Sequence, residues 1–290
     1  MKLKIFGYFI FIAVCLLFSL YVHFPGKTAA KYIEQMLSHI HPGVTLRIDT
    51  LNPCFPPGLK ADAVQIHYAG VPIATLDNSR LFFDLTTFWG NPVTGTFKAH
   101  VLDGALSGFM RLSKETTGDA GIEAVLDNLK LEDIRLGELL SDGQLSGILN
   151  GTLTAVFEQG NILQNKGDLN FADLVLQFPE ALFSVETYSF SSGKLKFSMS
   201  EDHLVKVENC SLTGRQIDLH LSGIISMAKI FQNSRLNLKT KIVLYPLFFM
   251  NAGDEMPVDV SRTDSDNAFI HLRIGGTIQY PIITIDPGIK

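Results

Sequence analysis

The side chains able to do chemistry are few and scattered. Cys15, Cys54 and Cys210 lack the close pair spacing of a zinc site or a redox couple. His39 and His41 stand two apart, with no third ligand at matching spacing, and read as polar residues at a helix end. Asp62, Asp77 and Asp84 fall in turn or solvent-face positions. No phosphate-binding glycine loop, HExxH helix or GxSxG elbow occurs. Asn150-Gly151-Thr152 and Asn209-Cys210-Ser211 match a glycosylation acceptor, a three-residue pattern that chance supplies often. These residues do not add up to the polar cluster that acid–base, nucleophilic or metal chemistry requires. Catalysis is therefore the weakest class of function, no cofactor is implied, and a non-enzymatic role is expected.

The elements around these residues carry more information. In Gln144–Glu158, QLSGILNGTLTAVFE, every second residue belongs to one class. Leu145, Gly147, Leu149, Gly151, Leu153, Ala155 and Phe157 fall on one side. Gln144, Ser146, Asn150, Thr152, Thr154 and Glu158 fall on the other, with Ile148 and Val156 as exceptions. Strand side chains alternate between faces, so this is a long β-strand with one apolar face. At ~3.3 Å per residue it runs about 50 Å. Leu195 and Phe197, then Leu236, Leu238, Ile242 and Leu244, alternate likewise on later strands and join the candidate apolar face. The glycines among these large residues are expected to leave space. Replacing Gly147 or Gly151 by Phe is expected to block an open groove with modest stability loss, or to misfold a packed face.

The 290-residue chain carries a formal net charge of −5 and 21 phenylalanines against one tryptophan. That balance excludes a nucleic-acid partner, and the phenylalanines call for a dry setting. Lys2 and Lys4 precede an uncharged run over residues 5–22. As a helix it would be roughly 27 Å long, close to a ~30 Å hydrocarbon core. Its apolar side chains are Ile5, Phe6, Phe9, Ile10, Phe11, Ile12, Val14, Leu16, Leu17, Phe18 and Leu20. The expected reading is a single-pass signal anchor with the lysines inside. The alternative is a cleaved signal peptide ending near Thr28-Ala29-Ala30. In either case the bulk of the chain is exported, and a disulfide between Cys54 and Cys210 is one option there.

Beyond the anchor, Ile33, Met36, Leu37 and Ile40 mark a short amphipathic helix that lies on a membrane or against the first strands. Val44, Leu46 and Ile48 open the first strand. Strand-like runs then recur with turn signals between them, including Asp77-Asn78-Ser79. Pro72 favours an edge. Residues 134–140 have the pattern of a short helix, and residues 114–121 and 251–267 read as polar loops. A parity shift after Phe171 predicts a bulge at Ala172-Asp173. About a dozen strands result. The expected fold is all-β: an elongated, curled antiparallel sheet, either an open groove or folded over, with one N-terminal transmembrane helix and a short amphipathic helix. Residues 1–4 would be cytoplasmic, 5–22 the anchor, 23–43 linker and amphipathic helix, and 44–290 the exported β-rich domain.

Several segments carry a resemblance. VTLRI from Val44, PPGLKADAV from Pro56 and VPIATLDNSRLFFDLTTFWGN from Val71 follow the anchor in that order. LDNLKLEDIRLGELL from Leu126, GQLSGILNGTLT from Gly143 and GGTIQYPIITI from Gly275 come later. This order resembles the AsmA-like family and, within that style, the type II secretion system protein N family. The resemblance implies a bacterial inner-membrane anchor with the bulk of the chain in the periplasm. It brings no catalytic residues. Larger AsmA-like relatives form grooves with an apolar interior that conduct lipid between membranes, and the secretion-system relatives are accessory parts of the machinery. Two functions follow as expectations. One is a non-enzymatic accessory component of type II secretion, contacting other secretion components through protein surfaces. The other is a groove binding or transferring a phospholipid or other acyl-chain lipid between inner and outer membranes.

Overall fold

The computed structural model describes residues 21–285 apart from 41–43, 56–57, 69–70, 117–118, 134–143, 160, 183–184, 201–203, 229, 252–260 and 263–267. Before residue 21 it describes 8, 11, 12, 15, 18 and 19. The described strands form one sixteen-stranded antiparallel sheet. Helix α1 (Gly26–Ile40) leads into β1 (Val44–Ile48) and β2 (Leu51–Cys54), which share one edge of β3 (Gly58–Tyr68). From β3 the chain runs as an up-and-down meander. It passes through β4 (Val71–Phe83), β5 (Val93–Val101), β6 (Gly104–Leu112), β7 (Ala120–Lys130) and β8 (Gln144–Glu158). It continues through β9 (Asn161–Leu182), β10 (Val185–Ser200), β11 (Leu204–Gly214), β12 (Ile217–Ser226) and β13 (Arg235–Leu244). After α2 (Pro246–Asn251), β13 pairs with β15 (Ala268–Gly276), whose outer edge is shared by β14 (Ser261–Arg262) and β16 (Pro281–Ile285). Among the described strands no pairing joins the two ends, so the sheet is open.

Alternation explains why these segments extend. β13 reads RLNLKTKIVL, and its even-numbered residues from Leu238 to Leu244 are buried between exposed lysines. The bounds of β8 coincide with the alternating stretch in the sequence. The parity change in β9 is also present: Asp173 has φ +50°, and the β8–β9 register shifts between Ser146 and Ile148.

Two local expectations are corrected. Asp77-Asn78-Ser79 is no turn; β4 runs through it, with Asn78 at φ 49° and a register shift against β5 between Asp77 and Arg80. The polar triplet is a bulge, for which asparagine's tolerance of the left-handed region suffices. Pro72 lies on an interior strand, yet β5 reaches only to Leu76, so no ladder is broken on that side. The short helix expected at residues 134–140 lies outside the described residues. Of the loop expected at 251–267, Asn251 ends α2 and Ser261–Arg262 forms β14.

Two cores hold the sheet. The smaller one packs α1 on the first strands, with Ala30, Ile48, Leu51, Ala61 and Val64 buried and Ile33 against them. The Glu34 carboxylate accepts a hydrogen bond from the Ile48 N–H at 2.6 Å, fixing the helix to β1. Ala30 and Ile33 of the amphipathic helix are thus packed on protein. The larger core gathers Tyr188, Phe190, Ile217, Ile242, Leu244 and Ile270 from one end of β9–β15. Phe248 of α2 (1% exposed) and Leu131 from a one-turn helix cover that end.

Among the described residues no helix is long and apolar enough to cross a membrane. Of the expected anchor, Phe11, Ile12 and Phe18 are described, helical and well exposed; Ile5, Phe6, Phe9, Ile10, Val14, Leu16, Leu17 and Leu20 lie outside the described residues.

Candidate functional site on the apolar face

Directly opposed residues of an antiparallel pair project to the same face. Followed through the register, one row starts Leu59–Leu81–Phe97–Gly108–Ala124–Leu153. It continues Gly167–Phe197–Val207–Gly223–Leu238–Ile274–Ile283. Every member is apolar or glycine, from β3 to β16. At about 4.8 Å per strand its twelve steps span roughly 58 Å.

Parallel rows flank it. One runs Met110–Ile122–Ala155–Asn165–Met199–Val205–Ile225–Leu236. Another runs Leu126–Gly151–Leu169–Leu195–Cys210–Leu221–Thr240–Leu272. A deeper row, Leu129–Leu149–Phe171–Gly193–Leu212–Leu219–Ile242–Ile270, enters the larger core.

The candidate residues thus share one face, and coverage divides them. Leu145, Leu149, Ile242 and Leu244 pack in or against the larger core. Leu153, Ala155, Phe157, Leu195, Phe197 and Leu236 belong to neither core and are half-buried. Leu238 is buried between the rows of its neighbours. Sequence reasoning did not place the N-terminal part of this face, including Leu81, Phe97, Leu106 and Met110. The signal was the same alternation, in shorter runs.

The glycines do not leave space. A Cβ on Gly167 would meet the Phe197 ring at 2.3 Å, and one on Gly108 would meet the Phe97 ring at 2.3 Å. Each glycine lets the opposed phenylalanine lie flat across it, an aromatic cover for a bare strand position. On Gly151 a Cβ would lie 2.5 Å from the Asp168 carbonyl oxygen. Gly147 occupies the bulge at φ +132°, with the Asp173 carbonyl oxygen 2.9 Å from the Cβ position. A phenylalanine at either position disrupts the sheet whatever lies on the face, so those substitutions do not discriminate an open face from a packed one.

Two polar atoms interrupt the rows. Thr240 is 4% exposed, and its Oγ1 has no hydrogen-bond partner; nor does Asn165 Oδ1. A buried hydroxyl or amide oxygen without a partner is costly; the Thr240 hydroxyl can donate or accept, whereas the Asn165 oxygen only accepts. Burial pushes the Cys210 thiol and the Tyr188 phenol up, the latter to about 12. Where the polar face meets α2, the Tyr245 hydroxyl donates to Asp218 at 2.7 Å, and that carboxylate also accepts from the Gly214 N–H at 3.0 Å.

The remaining reactive residues stay apart. Cys54 and Cys210 are free thiols. Eight sheet steps of about 4.8 Å separate β3, which β2 borders, from β11, far beyond the ~7 Å Cα limit of a disulfide. That option is therefore corrected. Asp62 pairs with Lys60 at 2.8 Å, and Asp84 caps a one-turn helix through the Thr86 N–H and hydroxyl, which hold its carboxyl below the usual range. His39 lies in α1 and His41 outside the described residues. No three His, Cys, Asp or Glu side chains gather as a metal site among the described residues. Comparison with protein-family models, curated proteins and solved structures returns no match.

Proposed function

We propose that the protein acts without making or breaking bonds, as a trough that holds an acyl-chain amphiphile along the apolar face. The observation that carries this is the half-buried middle of the apolar rows, Leu153, Ala155, Leu195, Phe197 and Leu236, residues that belong to neither core. Two packed ends fix the sheet and leave the middle for a ligand. The unpartnered Thr240 hydroxyl, which can donate, favours a chain bearing a carboxyl or ester group over a plain hydrocarbon, whereas the Asn165 amide oxygen calls for a donor such as a hydroxyl. Each buried methylene contributes about 0.8 kcal/mol, so even partial coverage of a long chain retains it. In this reading the sheet is elongated and curled about its ligand, residues 5–22 tether it to the bacterial inner membrane, and the sheet works in the periplasm.

A second reading, an accessory part of the type II secretion machinery acting through protein contacts, is carried by the resemblance of the motifs from Val44 to Asn91 and from Gly143. Organic extraction of the purified full chain followed by lipid mass spectrometry separates the two. The trough predicts co-purifying phospholipid or fatty acid that falls severalfold in Leu153→Lys. An extract equal to the detergent blank, or one unchanged by that substitution, counts against it.

A further inference from the structure

The polar face of the sheet changes character along its width. Over the N-terminal strands carboxylates accompany the cations: Lys60 bonds Asp62 and Arg111 lies 3.8 Å from Glu123, although Lys60, Arg80 and Lys98 are also directly opposed by register. Over β10–β15 cations predominate. By register Lys194, Lys196, Lys206, Lys239, Lys241 and Arg273 all project opposite the apolar rows. Of the carboxylates on β9–β12, Asp168, Glu208 and Asp218 are engaged, and Glu186 is exposed at the start of β10. Asp168 pairs with Lys196 at 2.9 Å, Glu208 accepts from Ser198 at 3.1 Å, and Asp218 is held by Tyr245 and Gly214. Among the described residues no carboxylate lies at ion-pair distance from Lys194, Lys206, Lys239, Lys241 or Arg273. On a chain of formal net charge −5 this is a local reversal of sign.

The row His220–Lys241–His271, with Lys239, Ser222 and the Glu208 carboxylate, lines a shallow hollow of about 530 Å³. Two isoleucines share this face at one end of the patch, Ile224 at 41% and Ile282 at 61% exposure. We propose that this basic face docks on an anionic phospholipid surface. Most of the cations are lysines, compact and strongly hydrated, which suit diffuse attraction to a charged plane better than the bidentate pairing arginine provides. Protein interfaces instead concentrate their affinity in buried aromatic and arginine anchors. Here the Phe269 ring lies beneath the Lys241 ammonium at 5.2 Å. Exposed isoleucines beside the cations add the shallow apolar insertion that membrane-surface binding uses. This docking does not depend on what the apolar face holds.

The test is flotation of the full chain with vesicles of phosphatidylcholine alone or with phosphatidylglycerol added. The neutral vesicles report any insertion by residues 5–22, and Lys2 and Lys4 are common to every variant, so the change in anionic preference between variants isolates the basic face. A basic residue near an anionic leaflet contributes roughly fivefold, so Lys239→Gln, Lys241→Gln and Arg273→Gln together are expected to lower that preference by about 100-fold. High salt removes it, and the combined Lys60→Gln, Lys98→Gln and Arg111→Gln variant preserves it. Circular dichroism checks that both variants fold. Equal binding to the two vesicle types overturns the proposal, as does an equal loss in both variants. Retention on polyglutamate without a lipid preference also overturns it, in favour of an acidic polypeptide.

Discussion

Replacing Leu195 by lysine tests whether the middle of the apolar face is open. Leu195 is half-buried on β10 between Leu169 and Cys210 and belongs to neither core. On an open face a lysine stem covers much of the same apolar surface and its ammonium reaches water. The cost is then about 1 kcal/mol, since no enclosed cavity forms and no charge is trapped. Leu244→Ala sets the scale for a packed position. Leu244 is 1% exposed in the larger core with Ile217 and Phe248, and truncation there costs about 3–5 kcal/mol. At roughly 2–4 °C per kcal/mol for a chain of this size, Leu195→Lys should lower Tm by a few degrees and Leu244→Ala by about 10 °C. Thermal unfolding of delipidated full-length protein, followed by far-ultraviolet circular dichroism, reads both. A Leu195→Lys loss equal to or larger than that of Leu244→Ala would mean that protein already packs the face, and the trough reading would fail.

Other outcomes follow from the same geometry. Gly167→Ala places a methyl against the Phe197 ring and should cost about 1–3 kcal/mol, and combining it with Phe197→Ala should cost less than the sum of the two single changes, as denaturant titration of the cycle would show. Tyr245→Phe removes the hydrogen bond to Asp218 and should cost about 1 kcal/mol in the same titration. Tyr188 has its folded-state phenol pKa raised to about 12, above the ~10 of an unfolded chain. Its contribution is therefore full below pH ~10 and is lost as pH rises towards 12, so Tm should fall over that window, less so in Tyr188→Phe. Peptide mapping without reductant should find Cys54 and Cys210 unlinked, and Cys210, its thiol pushed up by burial, should alkylate more slowly than a model thiol.

Much of the fold was legible because a two-residue period survives in long strands. Gln144–Glu158 announced its own ends, and the parity change after Phe171 located a bulge that the left-handed Asp173 makes. Short-range signals misled where a strand absorbs an irregularity: Asp77-Asn78-Ser79 has the composition of a turn but only kinks β4. The apolar face was legible as a pattern. Its division into core and open rows was not, because coverage depends on contacts that one strand cannot show. Phe248 and Leu131 reach the larger core from short helical turns outside the alternation. The glycines misled for a related reason. Absence of a side chain reads as space, and only the register reveals that Phe97 and Phe197 occupy it. The basic face was hidden by averaging, since lysines contributed one or two per strand by β10, β11 and β13 line up only once those strands are paired.

The most direct measurement of the central claim is photo-crosslinking of the full chain with a phospholipid carrying a diazirine in its acyl chain, followed by peptide mapping. The trough predicts adducts on the half-buried rows, at Leu153, Leu195, Phe197 and Leu236, in addition to any on residues 5–22. Adducts confined to residues 5–22, with none on β8, β10 or β13, would contradict it.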